Sequence, residues 1–128
     1  MNLPGAGQRV VRIEVGHALQ FETDAHVRYF VEENPVLTLP DDTEVTISLP
    51  APASASGTDI ATELTGATIE LGTCTADGSL VVLFDSGAVL SVPPSPDFES
   101  WNVSAPGNVL VVSTPGGTIA AWNWPSTD

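Results

Sequence analysis

The chain has 128 residues, 42% of them hydrophobic and 15% charged, which suits one domain with a real core and excludes an intrinsically disordered chain for most of the length. Three Lys+Arg against 16 Asp+Glu leave a formal charge of −13 with no lysine at all, which excludes a nucleic-acid partner, whose phosphates need Lys and Arg, and favours a cationic one. A single cysteine, Cys74, rules out an internal disulfide and a cysteine-rich metal site; no apolar run is long enough for a membrane span, and Met1-Asn2-Leu3-Pro4-Gly5 lacks a signal-peptide layout, so a cytoplasmic protein without membrane association is expected.

Apolar and polar residues alternate with period two from one end of the chain to the other, which predicts an all-β protein. Val11, Ile13 and Val15 alternate with Arg12 and Glu14, Leu19 and Phe21 with Gln20 and Glu22, and Val27, Tyr29 and Val31 with His26 and Arg28. A three-residue loop at Gly16-His17-Ala18 sets Val15 opposite Leu19 and Ile13 opposite Phe21, whereas a two-residue loop mismatches the apolar faces. Val36-Leu37-Thr38-Leu39 reads as a short edge piece, and Val45, Ile47 and Leu49 mark a strand after the turn at Pro40-Asp41-Asp42. Residues 50–58, small and proline-punctuated, are expected as a flexible loop within the same domain. One helical turn is predicted over 59–64, capped by Thr58 or Asp59.

The second half restarts the pattern with Ile69 and Leu71, a turn at Asp77-Gly78, then Leu80, Val82 and Phe84, a turn at Asp85-Ser86-Gly87, and Ala88, Leu90 and Val92. Asp-Ser-Gly fits a three-residue hairpin loop whose last position is left-handed. Leu80-Val81-Val82-Leu83-Phe84 is apolar on both faces, which predicts a strand held between two layers. Segments 101–104, 109–113 and 118–122, parted by Ala105-Pro106-Gly107-Asn108 and Pro115-Gly116-Gly117, read as a closing three-stranded meander, with 125–128 as a tail. Arg12-Ile13-Glu14-Val15-Gly16 is echoed by Thr68-Ile69-Glu70-Leu71-Gly72, and Phe21-Glu22-Thr23-Asp24-Ala25 by Phe84-Asp85-Ser86-Gly87-Ala88, the pattern of a duplicated meander or of chance similarity among alternating strands. The expected architecture is a single domain over 1–128, a sandwich or flattened barrel of about nine or ten short antiparallel strands.

No motif announces catalysis. Cys74 has no histidine near it in sequence and reads as a small core residue. His17 and His26 match no metal spacing and read as surface residues. Gly5-Ala6-Gly7 precedes a strand and Pro115-Gly116-Gly117 joins two, so neither presents a helix N-terminus to phosphate. Asp77-Gly78 and Asp85-Ser86-Gly87 lack the ligand pattern of a calcium loop. A carboxylate pair such as Glu70 and Glu99 is the remaining route to an enzyme, ranked last because no spacing supports it. No catalytic residue, metal or cofactor is therefore assigned.

Charge is more informative. Lys, Arg and His are absent from residues 30–128, and Glu32, Glu33, Asp41, Asp42 and Glu44 place five carboxylates within thirteen residues. Such a run is either a solubilising surface or a docking surface for a basic protein. Among the tryptophans, Trp101 and Trp122 are expected as core fillers and Trp124 as a partly exposed anchor that joins the acidic residues at an interface.

The C-terminal half contains Phe84-Asp85-Ser86-Gly87, Glu99-Ser100-Trp101 and Pro115-Gly116-Gly117 followed by Trp122. This ordered set resembles a family of small, mostly actinobacterial, acidic β proteins of unknown function with F-D-x-G, E-x-W and closing P-G-G…W motifs. The resemblance transfers no catalytic residue. By analogy with other small acidic proteins it is compatible with an immunity-type inhibitor that neutralises a basic toxin. The expected function is accordingly a non-enzymatic, acidic protein-binding module, with a basic protein as partner. The competing expectation is a small-ligand-binding β-barrel or sandwich whose pocket is lined by Tyr29, Trp101 and Trp122.

Overall fold

Period-two alternation is realised as eleven strands among residues 1–50 and 62–124, the residues described by the computed structural model. They are β1 (Val10–Val15), β2 (Leu19–Thr23), β3 (Arg28–Val31), β4 (Val36–Thr38), β5 (Glu44–Thr46), β6 (Ile69–Cys74), β7 (Leu80–Phe84), β8 (Val89–Val92), β9 (Trp101–Ala105), β10 (Val109–Ser113) and β11 (Ile119–Trp122). One antiparallel sheet has the order β1-β2-β3-β9-β10-β11 and the other β5-β4-β8-β7-β6. Their inner faces meet in one core that includes Phe21, Tyr29, Phe84 and Trp101, so the sandwich is the architecture formed. The 51–58 part of the expected loop, the caps Thr58 and Asp59, and the tail 125–128 lie outside the described residues; the helical turn is present at 62–64.

The first hairpin has the register its loop length demands, with Val15 opposite Leu19 and Ile13 opposite Phe21. Strict alternation fails at the start of β1, where the register shifts between Val10 and Arg12. This bulge turns Val10 into the core and leaves Val11 46% exposed, so Val11 is not the core residue that alternation implied. Segment 36–39 is not an edge: β4 lies between β8 and β5, and β5 takes the edge. The strand expected to reach Leu49 stops at Thr46: the Ile47 amide still donates to the carbonyl of Pro35, the residue opposite it, but proline has no N–H to return the bond, and the Leu49 amide donates to the Asn34 side chain. β7 lies inside its own sheet, between β8 and β6, but Val81 and Leu83 stay half-buried on an outer face that no third layer among the described residues covers.

The repeated peptides fall in corresponding strands but out of step: Ile13 pairs with Phe21 near the β1–β2 loop, whereas Ile69 pairs with Phe84 at the end remote from the β6–β7 loop. β1-β2-β3 and β6-β7-β8 are each a meander whose first strand carries a bulge, at Val10/Arg12 and at Ile69/Leu71. Each meander is extended by the strand that follows the other: β4, after the first, pairs with β8, and β9, after the second, pairs with β3. That exchange ties the two sheets together through non-local pairing.

Residues 1–9 run along the free edge of β6, with bridges Asn2–Thr73 and Arg9–Thr68. Between them, Tyr29 reaches across the core from β3, stacks on Phe21 with ring centroids 4.9 Å apart, and donates its hydroxyl to the Pro4 carbonyl at 2.7 Å. The room for that hydroxyl comes from Gly72, where a Cβ would collide with it. Burial pushes the Tyr29 phenol well above its ordinary value of 10.0. Because the folded value is the raised one, the stability drawn from this neutral phenol is complete below about pH 10 and lost as pH climbs beyond it. Tyr29 is the only tyrosine, so its ionisation can be followed by near-ultraviolet absorbance. The folded chain should show no tyrosinate through the range in which the urea-unfolded chain titrates; identical curves would contradict this placement.

Candidate functional site

The five carboxylates that are neighbours in sequence are divided by the fold. Glu32 and Glu33 follow β3, with both backbone amides held on the Ser100 carbonyl. Asp41, Asp42 and Glu44 belong to the β4–β5 hairpin at the other end of β4, where Thr38 pairs with Glu44. The same end of that sheet holds the β7–β8 turn, because Thr38 also pairs with Val89 and Pro40 lies 3.6 Å from the position of a Cβ on Gly87. Asp85 of this turn thereby joins Asp41, Asp42 and Glu44 on one exposed rim. The five carboxylates are not one patch; a rim of four at one end and a pair at the other is the arrangement formed.

The rim is shaped by its own side chains. The Asp41 carboxylate accepts the Thr43 amide at 3.0 Å, which with the Thr43 side chain holds its pKa below the usual carboxylate value. Asp42 takes a left-handed backbone (φ 69°), which Asp tolerates better than most residues. Asp85 exchanges hydrogen bonds with Thr68: its amide donates to the Thr68 carbonyl at 2.9 Å and its carboxylate accepts the Thr68 amide at 3.0 Å. These bonds hold the Asp41 and Asp85 carboxylates on their turns, and all four carboxylates of the rim belong to exposed residues.

The aromatic residues do not form the pocket expected of them. Tyr29 and Trp101 are fully buried, whereas Trp122, expected in the core, is 53% exposed. The register explains the separation. Trp122 pairs with Leu110 and thus lies on the outer face, opposite to Val111, which is buried. Trp101 donates its indole N–H to the Gly78 carbonyl at 3.0 Å, a structural anchor between the sheets. Trp124 is half-buried, packs against the core and donates its indole N–H to the Asn2 carbonyl at 2.8 Å, far from the acidic hairpin. It pins the N-terminal segment and is not part of an acidic interface.

Two surface features went unread in the sequence. On the outer face of the six-stranded sheet Arg12, Glu22 and Arg28 stand in one cross-strand row. Arg28 contacts the Glu22 carboxylate at 3.0 Å and His26 approaches it at 3.3 Å, and these two hydrogen bonds, Arg28 first, lower the Glu22 pKa. The hairpin register that pairs Ile13 with Phe21 already implied the Arg12–Glu22 pair. The second feature is a cleft of about 960 Å³ where the end of β6 and the N-terminus approach β11, lined by residues that include Cys74, Asp77, Gly117, Ile119 and Trp124. Asp77 is engaged there by the Thr75 hydroxyl and the Ser79 amide, which lower its pKa. Cys74 is buried beside the Met1 carbonyl. Among the described residues no three His, Cys, Asp or Glu side chains converge as a metal-binding group, and no buried side-chain polar atom is left without a partner.

Several motif residues lock this framework: Trp101 and the Pro115-Gly116-Gly117 turn meet Gly78 between the sheets, and Asp85 and Gly87 shape the rim. A family model covers residues 1–123 of this chain. The chain belongs to DUF6188, a family of unknown function. The search of curated proteins and of solved structures finds no match. Membership of DUF6188 assigns no activity. No helix among the described residues is long and apolar enough to cross a membrane.

Proposed function

We propose that this DUF6188 chain is a non-enzymatic, acidic protein-binding module of the cytoplasm that docks a basic protein on the rim formed by Asp41, Asp42, Glu44 and Asp85. Its most specific form is an immunity-type inhibitor that occludes a basic toxin. The observation that carries the reading is the gathering of four exposed carboxylates on two adjoining hairpin turns, two of them, Asp41 and Asp85, held by backbone amides, in a chain whose net charge is −13. Like charges held close are costly unless solvated or met by an outside cation, and a fixed anionic rim lowers the reorganisation needed to meet one. Long-range attraction by such a surface raises encounter rates by roughly 10- to 1,000-fold at low ionic strength.

The test is affinity capture from the native cell extract with the wild type and with a variant carrying Asp41→Asn, Asp42→Asn and Glu44→Gln. These changes remove charge while keeping the oxygen that accepts the Thr43 amide and a residue suited to the left-handed backbone. The wild type should retain a basic protein at low salt that the variant fails to hold, whereas Glu32→Gln with Glu33→Gln, at the opposite end, should leave retention intact. Equal retention by wild type and rim variant would refute the docking surface.

A further inference from the structure

The two sheets have four edge strands, and three are closed to further pairing by devices typical of natural sheets. β1 carries a bulge and the charged Arg12 and Glu14, and its first residue is already hydrogen-bonded to Gly66 and Ala67. β5 is three residues long and begins with Glu44. β6 is covered by residues 1–9. β11, four residues long, carries no bulge and no charge, and none of the described residues covers it. Its sequence is Ile119-Ala120-Ala121-Trp122, without charge or proline, and among the described residues no backbone group pairs with its outer side.

The surroundings of β11 are unusual for this chain. Residues 100–127 contain no Asp, Glu, Lys, Arg or His, although the remainder carries every charge behind the net −13. The cross-strand rows Ser104–Leu110–Trp122 and Asn102–Val112–Ala120 therefore make the outer face of β9, β10 and β11 uncharged; Val112 is buried on it, Leu110 and Ala120 are half-buried, and Trp122 is 53% exposed. A basic partner gains no charge complementarity here. A second copy of the same chain is otherwise repelled by its own charge; the outer face beside this edge carries no carboxylate, and Asp77, in the cleft that Ile119 and Ala121 help to line, is engaged by Thr75 and Ser79.

We infer that β11 pairs antiparallel with β11 of a second copy across a two-fold axis, joining two six-stranded sheets into one. Side chains opposed across an antiparallel pair share a face, so a register centred on Ala121 sets Trp122 of each copy opposite Ala120 of the other on the outer face. A large ring facing a methyl group gives close packing without a clash, next to Leu110.

Sedimentation velocity of the full chain over a range of concentrations tests this. A monomer–dimer equilibrium is expected, and added salt should strengthen it, because screening relieves the repulsion between two chains of −13. Salt should weaken docking of a basic protein on the acidic rim, so the two surfaces answer separately. Ala120→Glu, and independently Trp122→Glu, should leave the circular dichroism spectrum unchanged and return the chain to monomer. Hydrogen exchange at high concentration should show added protection at residues 119–122 relative to dilute protein. A chain that stays monomeric at all concentrations and salts, or a dimer whose added protection lies elsewhere, overturns the assignment.

Discussion

Replacing Gly78 or Gly117 with alanine should destabilise the protein by about 3 kcal/mol or more, combining overpacking with left-handed strain. The Asp77-Gly78 turn of one sheet and the Gly116-Gly117 turn of the other lie against each other. A Cβ on Gly78 would enter the Gly117 backbone, and one on Gly117 would enter the Asp77 carbonyl. The obstacle in each case is main chain, which no rotamer change can clear. Both glycines also have left-handed backbones, at φ +92° and +90°, where a side chain is strained even in open space. Gly107 separates the two causes, since its φ is +87° but nothing lies within 4 Å of its Cβ position. Gly107→Ala should therefore cost only the backbone strain, about 1 kcal/mol. Urea melts of the three variants check this: similar midpoints for Gly107→Ala and Gly117→Ala would deny the close approach of the two turns.

The second large effect is expected where Trp101 and Ser113 converge. The Trp101 indole N–H and the Ser113 hydroxyl each donate to the Gly78 carbonyl at 3.0 Å, and all three residues are buried. Trp101→Ala should cost about 3–5 kcal/mol, as expected when a buried tryptophan leaves a cavity. The informative comparison is milder. Trp101→Phe or Ser113→Ala leaves Gly78 one donor, and each should cost on the order of 1 kcal/mol in hydrogen bonding, with a packing term added for the smaller ring. The double variant leaves that carbonyl without either donor and should lose more than the two singles together. Strict additivity in a double-mutant cycle would show that the two donors do not share one acceptor.

The parts of the fold legible in sequence were those set by local pattern. Alternation placed the strands, and the odd loop at Gly16-His17-Ala18 decided the register of the first hairpin because either alternative loop length sets apolar residues against polar ones. Bulges were invisible: Val10 and Val11 are identical as residues, and it is Val10, its backbone hydrogen-bonded to Gly66 and Ala67, that turns inward. The exchange of β4 and β9 between meanders leaves no local trace, which is why β4 read as an edge. The acidic run misled for a related reason. Nearness in sequence put five carboxylates together, whereas a short strand between Glu33 and Asp41 sends them to opposite ends of a sheet and brings in Asp85, more than forty residues away. Trp122 was misplaced because its side of the strand follows from its pairing with Leu110, and both residues are apolar.

The proposal that the rim of Asp41, Asp42, Glu44 and Asp85 docks a basic protein is tested most directly by stopped-flow association of the captured partner with this chain across a series of ionic strengths. The rate constant should fall steeply as salt is added, and the variant with Asp41→Asn, Asp42→Asn and Glu44→Gln should associate about tenfold more slowly at low salt and with a flatter dependence. Superimposable rates for wild type and variant at every ionic strength would contradict it.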